Sequence, residues 1–113
     1  MDTEEQHMRE ELDEIVNGNK LIERTFENFW NCYDNYLTDD ITKDESREYG
    51  LIDRTSVTPK LYGYSYCVTS TYEFDTIKVY LDIFRKNEEK RFAEYWIIYN
   101  IAGEVIDDFF VTE

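Results

Sequence analysis

The stretch RFAEYWIIYNIAGEVIDDFFVT, residues 91–112, decides the fold. Two alternating runs, 91–100 and 105–112, flank a turn at Ala102-Gly103, which is the pattern of an antiparallel hairpin. The first run is apolar on both faces, with Ala93, Tyr95, Ile97 and Tyr99 on one face and Phe92, Trp96 and Ile98 on the other. One face is expected to meet helices. The other face is expected to be covered by the long loop, by a second copy of the chain or by a partner protein.

Two more strands are predicted before this hairpin. Residues 62–68 alternate tyrosines with small residues, and residues 77–83 alternate aliphatic with polar side chains. Breaks in the alternation near 73–75 and 87–89 mark turns, and short connections favour pairing between consecutive antiparallel strands. The sequence therefore predicts a four-stranded antiparallel meander, because four alternating segments follow one another.

Helical periodicity precedes the strands. A first helix is predicted over about residues 4–16, after which Asn17-Gly18-Asn19 either caps it with a left-handed residue or lies inside a helix that continues. A second helix carries a wide apolar stripe formed by Ile22, Phe26, Phe29, Trp30, Tyr33 and Leu37. Residues 38–60 show no period and predict a long loop with one short helical turn. Long loops in compact domains are often functional.

Helices followed by strands predict a single α+β domain over residues 1–113. Its two N-terminal helices are expected to pack on one face of the four-stranded antiparallel meander, in a cystatin-like or NTF2-like arrangement. The length of 113 residues suits one core of two packed layers.

The charge of the chain restricts its partners. With 26 acidic and 12 basic residues the net charge is −14, which repels nucleic acid and anionic lipid and attracts basic protein surfaces. We therefore expect no direct nucleic-acid or membrane binding. The acidic opening Met1–Glu5 is unlike a signal peptide, and this predicts a cytoplasmic protein.

Residues suited to catalysis or metal binding are scarce. His7 is the one histidine in the sequence, and Cys32 and Cys67 are too far apart in sequence for a CxxC motif. The acidic segment from Asp39 to Gly50 does not follow the calcium-loop pattern, and no glycine-rich phosphate loop occurs. The sequence predicts no enzyme, no cofactor and no metal site, with both thiols reduced and buried.

The closing stretch Tyr95–Phe110 is similar to the terminal hairpins of some immunity proteins of bacterial contact-dependent growth inhibition and polymorphic toxin systems. The overall layout of the chain resembles these proteins as well. This resemblance implies an inhibitor that binds and neutralises a cognate toxin. A nuclease is one class of toxin that such an inhibitor would neutralise. The residues predicted to contact the basic partner are Asp39, Asp40, Asp44 and Glu45, which steer its approach, and Tyr80, Tyr95 and Tyr99, which hold it.

Two other functions remain open at this point. A phage DNA mimic or anti-defence protein would use the acid clusters to imitate phosphates. A small NTF2-like ligand-binding domain would line a cavity with Phe26, Phe29, Trp30 and Tyr66. The chain is expected to be a monomer or a homodimer.

Overall fold

Three helices precede four strands in the computed structural model, which describes residues 3–113, with side chains from Glu4 onward. The helices are α1 (Thr3–Gly18), α2 (Leu21–Thr38) and α3 (Lys43–Glu48), followed by a 3-10 helix (Arg54–Ser56). The strands are β1 (Val57–Cys67), β2 (Thr76–Arg85), β3 (Arg91–Asn100) and β4 (Val105–Thr112). They form one antiparallel sheet in the order β1-β2-β3-β4. The predicted α+β fold, with helices packed on a four-stranded meander, is confirmed.

The first helix ends two residues later than the sequence predicts, at Gly18 instead of about residue 16. The helix ends at Gly18, but the left-handed residue is Lys20, with φ 55°. The Asn19 side chain donates to the Ile15 carbonyl at 2.9 Å and so satisfies the end of α1. Of the two alternatives for this segment, the break between two helices is the correct one.

The turn between β3 and β4 packs against this junction. Gly103 has φ +85°, and a Cβ added there would lie 2.8 Å from the Asn19 side chain. The Arg24 guanidinium donates to the Gly103 carbonyl at 2.7 Å. Glycine is therefore required at this turn both for its backbone conformation and for the close approach of the helix layer.

The core lies between α2 and the sheet. Phe29 has no exposed surface, and its ring packs against Tyr95 with 5.6 Å between centroids and against Phe110 with 6.3 Å. Trp30 is only half-buried, and its indole ring lies 5.2 Å from the Arg54 guanidinium. Burial of the helix stripe is thus confirmed at Phe29 and is partial at Trp30.

Two β-bulges each redirect one aromatic side chain. Tyr62 is the extra residue of a bulge in β1, and its ring meets Tyr80 on the face away from the helices. Phe92 is the extra residue of a bulge in β3, and its ring lies 4.9 Å from that of Tyr49 in the helix layer. A bulge shifts the side-chain alternation by one residue, so strict alternation assigned both side chains to the wrong face.

The segment predicted as a long loop is more regular than expected. It contains α3 and the 3-10 helix, which both contact α2, and β1 begins at Val57 instead of after Pro59. Pro59 is compatible with a strand because β1 lies at an edge of the sheet, where its missing N–H costs no ladder bond. This segment belongs to the helix layer and leaves the other sheet face open.

Candidate protein-binding surfaces

An aromatic row crosses the open face of the sheet. Each strand contributes one ring at the same level. Tyr80 pairs with Trp96, and Trp96 pairs with Phe109. On β1, the bulged residue Tyr62 comes directly before Gly63, which pairs with Tyr80. Trp96 and Phe109 stack at 5.3 Å, and Tyr62 and Tyr80 meet edge to face at 6.2 Å. Tyr62 is 72% exposed and Phe109 37% exposed, so the row is an accessible aromatic surface.

A lysine lies at the centre of this aromatic row. The Lys78 ammonium is 5.7 Å from the Tyr80 ring centroid and 5.8 Å from that of Trp96, within the range of cation–π attraction. Lys60 lies in the same way over Phe84, at 5.1 Å. Lys78 therefore lies near the middle of the open face and Lys60 on its β1 edge, although the chain as a whole is acidic.

An ion-pair cluster borders the aromatic row on one side. Arg91 contacts Asp82 at 3.3 Å and Glu94 at 2.8 Å, and it also pairs with Glu113. These partners raise the pKa of Arg91, Glu113 having the largest effect. Three of the acids near the open face are thus paired with a base of the same chain.

An acidic groove lies on the helix side, between α2, α3 and β4. Its volume is about 510 Å³, and its lining residues are Cys32, Asn35, Tyr36, Asp39, Ile41, Thr42, Glu45, Phe110 and Thr112. Residues 39–48 carry five acids and two bases. Ile41 is 90% exposed beside these acids. The groove therefore combines negative charge with an apolar contact.

The hydroxyl of Tyr36 is buried in this groove. Among the described residues it makes no hydrogen bond of ordinary geometry, and the polar side chain that interacts with it is the Glu45 carboxylate. Its burial raises the pKa of Tyr36 above the usual value, and the Glu45 carboxylate nearby adds to that shift. This hydroxyl and the Glu45 carboxylate therefore form a polar pair inside the groove.

The structure brings the four predicted steering acids together beside this groove. Asp39 and Glu45 line it, and Asp40 and Asp44 are exposed next to them. Asp39 accepts a hydrogen bond from the Ile41 backbone at 2.8 Å, so it also shapes the turn before α3. Asp40 pairs with Lys43 at 3.0 Å. Their role in steering a partner stays a prediction.

Two of the three predicted anchoring tyrosines are not at the surface. Tyr95 and Tyr99 have no exposed surface, so the expectation that they lie on the exposed sheet face is wrong. Tyr95 donates to Asp108 at 2.8 Å, and the Tyr99 hydroxyl lies 2.9 Å from that of Thr25. Tyr80 does lie on the open face.

Tyr62, Trp96 and Phe109 are surface residues that were not predicted from the sequence. The faces of β2 are unambiguous, because Val79 and Leu81 are fully buried and flank Tyr80. The pairing of β2 with β3 would have carried that assignment across to Trp96. That assignment requires the register of the β2–β3 hairpin, which the bulge at Phe92 shifts by one residue.

The residues proposed for an NTF2-like cavity do not come together. Phe29 is enclosed in the core, whereas Tyr66 lines a separate cleft of about 520 Å³ beside α1 with Met8, Leu12 and Ile15. The predicted cavity formed by Phe26, Phe29, Trp30 and Tyr66 is therefore wrong.

The remaining residues with reactive side chains are dispersed. His7 lies 3.9 Å from Glu11 on the exposed side of α1. Cys32 and Cys67 are free thiols and only half-buried, and burial raises the pKa of Cys32. Within residues 4–113, no group of three or more histidine, cysteine or acidic side chains could hold a metal ion.

None of the helices in the described part of the chain is long and apolar enough to cross a membrane. Comparison of the chain with protein families, with curated proteins and with solved structures finds no match.

Proposed function

We propose that the chain is a protein-binding inhibitor of the immunity type, which neutralises a basic toxin domain by direct contact. The acidic groove between α2, α3 and β4 carries this proposal. It combines the clustered acids of residues 39–48 with exposed Ile41 and with the buried hydroxyl of Tyr36, which interacts with Glu45. The function is binding, with the chain itself performing no reaction.

The chemistry of the groove favours a partner that presents lysine or arginine. A cationic side chain entering the groove would meet the carboxylates of Asp39 and Glu45 and would give the Tyr36 hydroxyl a hydrogen-bond donor. Ile41 would bury apolar surface against the same partner. A cluster of like charges also accelerates the diffusional approach of a basic protein, as the net charge of −14 does over longer range.

Charge reversal tests this proposal. The triple variant Asp40→Lys, Asp44→Lys, Glu45→Lys leaves Asp39 in place, because its carboxylate accepts the Ile41 backbone N–H. The control reverses three exposed acids of α1, in the variant Glu5→Lys, Glu10→Lys, Glu14→Lys. It changes the net charge by the same amount, at positions distant in sequence from residues 39–48. Immobilised wild type and both variants are used to capture proteins from native cytosol, and association rates are then measured with the captured protein.

The expected partner is a basic protein whose toxic activity is abolished by an equimolar amount of wild type. The groove variant should associate at least about tenfold more slowly at low salt, and the α1 variant should be affected much less. Capture of an acidic protein, or equal rates for the two variants, would contradict the proposal. Inhibition of several unrelated DNA-binding proteins would support the DNA-mimic alternative instead.

A further inference from the structure

We propose that the open sheet face is a homodimer interface, at which two copies of the chain pack face to face across the aromatic row. This inference is independent of the acidic groove, which lies on the other side of the sheet. It concerns the row Tyr62, Tyr80, Trp96 and Phe109 and the exposed aliphatic residue Val111, which pairs with Glu94 of the same face. The helix layer covers one face of the sheet, and the segment before β1 does not reach the other.

The charge of the open face favours a second copy over a basic partner. Lys78 and Lys60 lie over rings of this face, and a strongly basic protein would have to approach them. The acids Asp82, Glu94 and Glu113 are paired with Arg91. Asp107, opposite Ile98, is a fourth acid of this face. Against the three bases Lys60, Lys78 and Arg91 the face has a net charge of about −1 within a chain of net charge −14, so two acidic copies repel each other least when they meet here.

The strand register makes the face complementary to itself. On β2, Lys78 lies two residues before Tyr80 and Asp82 two residues after it, on the same face. We consider a two-fold axis that runs parallel to the aromatic row, midway between two stacked sheets. Rotation about this axis brings Lys78 of one copy to the position opposite Asp82 of the other. Lys78 of one copy then faces Asp82 of the other, twice in the dimer, while the rings of the two rows interdigitate.

The size of the face suits a weak dimer. Four strands spaced about 4.8 Å apart, with roughly eight residues each rising about 3.4 Å, cover about 500 Å² in each copy. A face-to-face contact therefore buries on the order of 1,000 Å² in total, at the low end of specific interfaces. For a contact of this size between two acidic copies we expect a dissociation constant in the micromolar range.

Sedimentation of the full chain tests the dimer at concentrations from about 1 μM to about 1 mM, the range that contains a micromolar equilibrium. The expected result is a concentration-dependent shift from the 13.7 kDa chain to twice that mass. Raising salt from about 0.1 M to about 1 M shortens the screening length from about 10 Å to about 3 Å. The dimer should then become tighter, because the repulsion between two acidic chains is screened.

Two open-face variants and one control identify the interface. Trp96→Ala removes the centre of the aromatic row and should weaken the dimer at least about tenfold. Lys78→Glu keeps every ring of the row and places an acid against Asp82 of the second copy, so it should weaken the dimer by a similar factor. Ile41→Ser, an apolar-to-polar change at a highly exposed site of the helix layer, should leave dimerisation unchanged. Circular dichroism confirms that each variant is folded.

A chain that stays monomeric up to about 1 mM in about 1 M salt would overturn the proposal. So would a dimer that Lys78→Glu and Trp96→Ala leave intact, or that Ile41→Ser abolishes. Loss of toxin neutralisation on substituting Trp96 in a monomeric wild type would assign the open face to the partner instead. The failure of the immunity proposal alone would leave the sedimentation results unchanged.

Discussion

Two neighbouring aromatic residues of β3 occupy opposite environments. Tyr95 is fully enclosed beneath α2, with its ring against Phe29 and its hydroxyl bonded to Asp108. Trp96 points the other way, stacks on Phe109 and remains half-buried. Residue type does not distinguish them, since both faces of the strand are aromatic. The difference lies in the helix layer, which covers one face and leaves the other available for association.

The largest expected effect is a difference in unfolding free energy between a substitution under the helix layer and one on the open face. Phe29→Ala removes a fully buried ring and should lower the free energy of unfolding by about 3–5 kcal/mol. Phe109→Ala, at an exposed site on the open face, should lower it by less than about 1 kcal/mol in dilute solution. Urea unfolding at low protein concentration measures both. Equal losses would mean that the open face is not an outer surface of the monomer.

The second prediction compares the stability cost of an alanine at two glycine positions, one against the helix layer and one on the open edge strand. Gly103→Ala forces an alanine to φ +85° and against the Asn19 side chain, and it should cost about 1–3 kcal/mol of stability. Gly63→Ala is the control, because an added Cβ there meets no atom within 4 Å. Thermal unfolding should show a lower midpoint for Gly103→Ala alone. A similar decrease in both variants would argue against the contact between the hairpin turn and the helix junction.

The smallest expected effect concerns the buried tyrosines. Burial raises the pKa of Tyr33 to about 12 and also raises those of Tyr95 and Tyr99 above 10.0. Their neutral forms are favoured in the fold, so this stabilisation is complete below pH 10 and is lost as the pH rises through the folded pKa. Urea unfolding at rising alkaline pH should therefore show a falling free energy of unfolding.

Tyrosine-to-phenylalanine variants assign this effect to the covered face. Tyr95→Phe loses the hydrogen bond to Asp108 and should cost about 1 kcal/mol at neutral pH. The same variant should lose less of its remaining stability between about pH 10 and about pH 12, because one raised pKa has been removed. Tyr80→Phe on the open face should behave like wild type at neutral pH. A larger loss for Tyr80→Phe would reverse the assignment of the two faces.

Most of the fold could be predicted from the sequence because its signals are local. The bounds of β3 and β4 agree with the alternating runs at 91–100 and 105–112. The first strand was less predictable, since Pro59 obscured its beginning and the bulge at Tyr62 interrupted its alternation. An edge position tolerates both features, but sequence alone does not reveal which strand lies at an edge.

The candidate surfaces were less predictable than the fold. Clustering of Asp39, Asp40, Asp44 and Glu45 follows from their proximity in the chain, and the structure places them together. The aromatic row depends on pairing between strands, which is a non-local property. Tyr95 and Trp96 are adjacent and chemically similar, so only the register with β2 and the position of α2 decide which of them is exposed.

The two edges of the sheet differ in how they resist strand addition. On β1, Pro59 and the bulge at Tyr62 interrupt the row of backbone groups. On β4, the corresponding protection comes from charge, at Asp107 and Asp108 between exposed Val105 and Phe109. The net charge of the chain, −14 at pH 7, falls to zero near pH 4.3. Mild acid should therefore cause precipitation by edge-to-edge growth along β4, before the core itself melts.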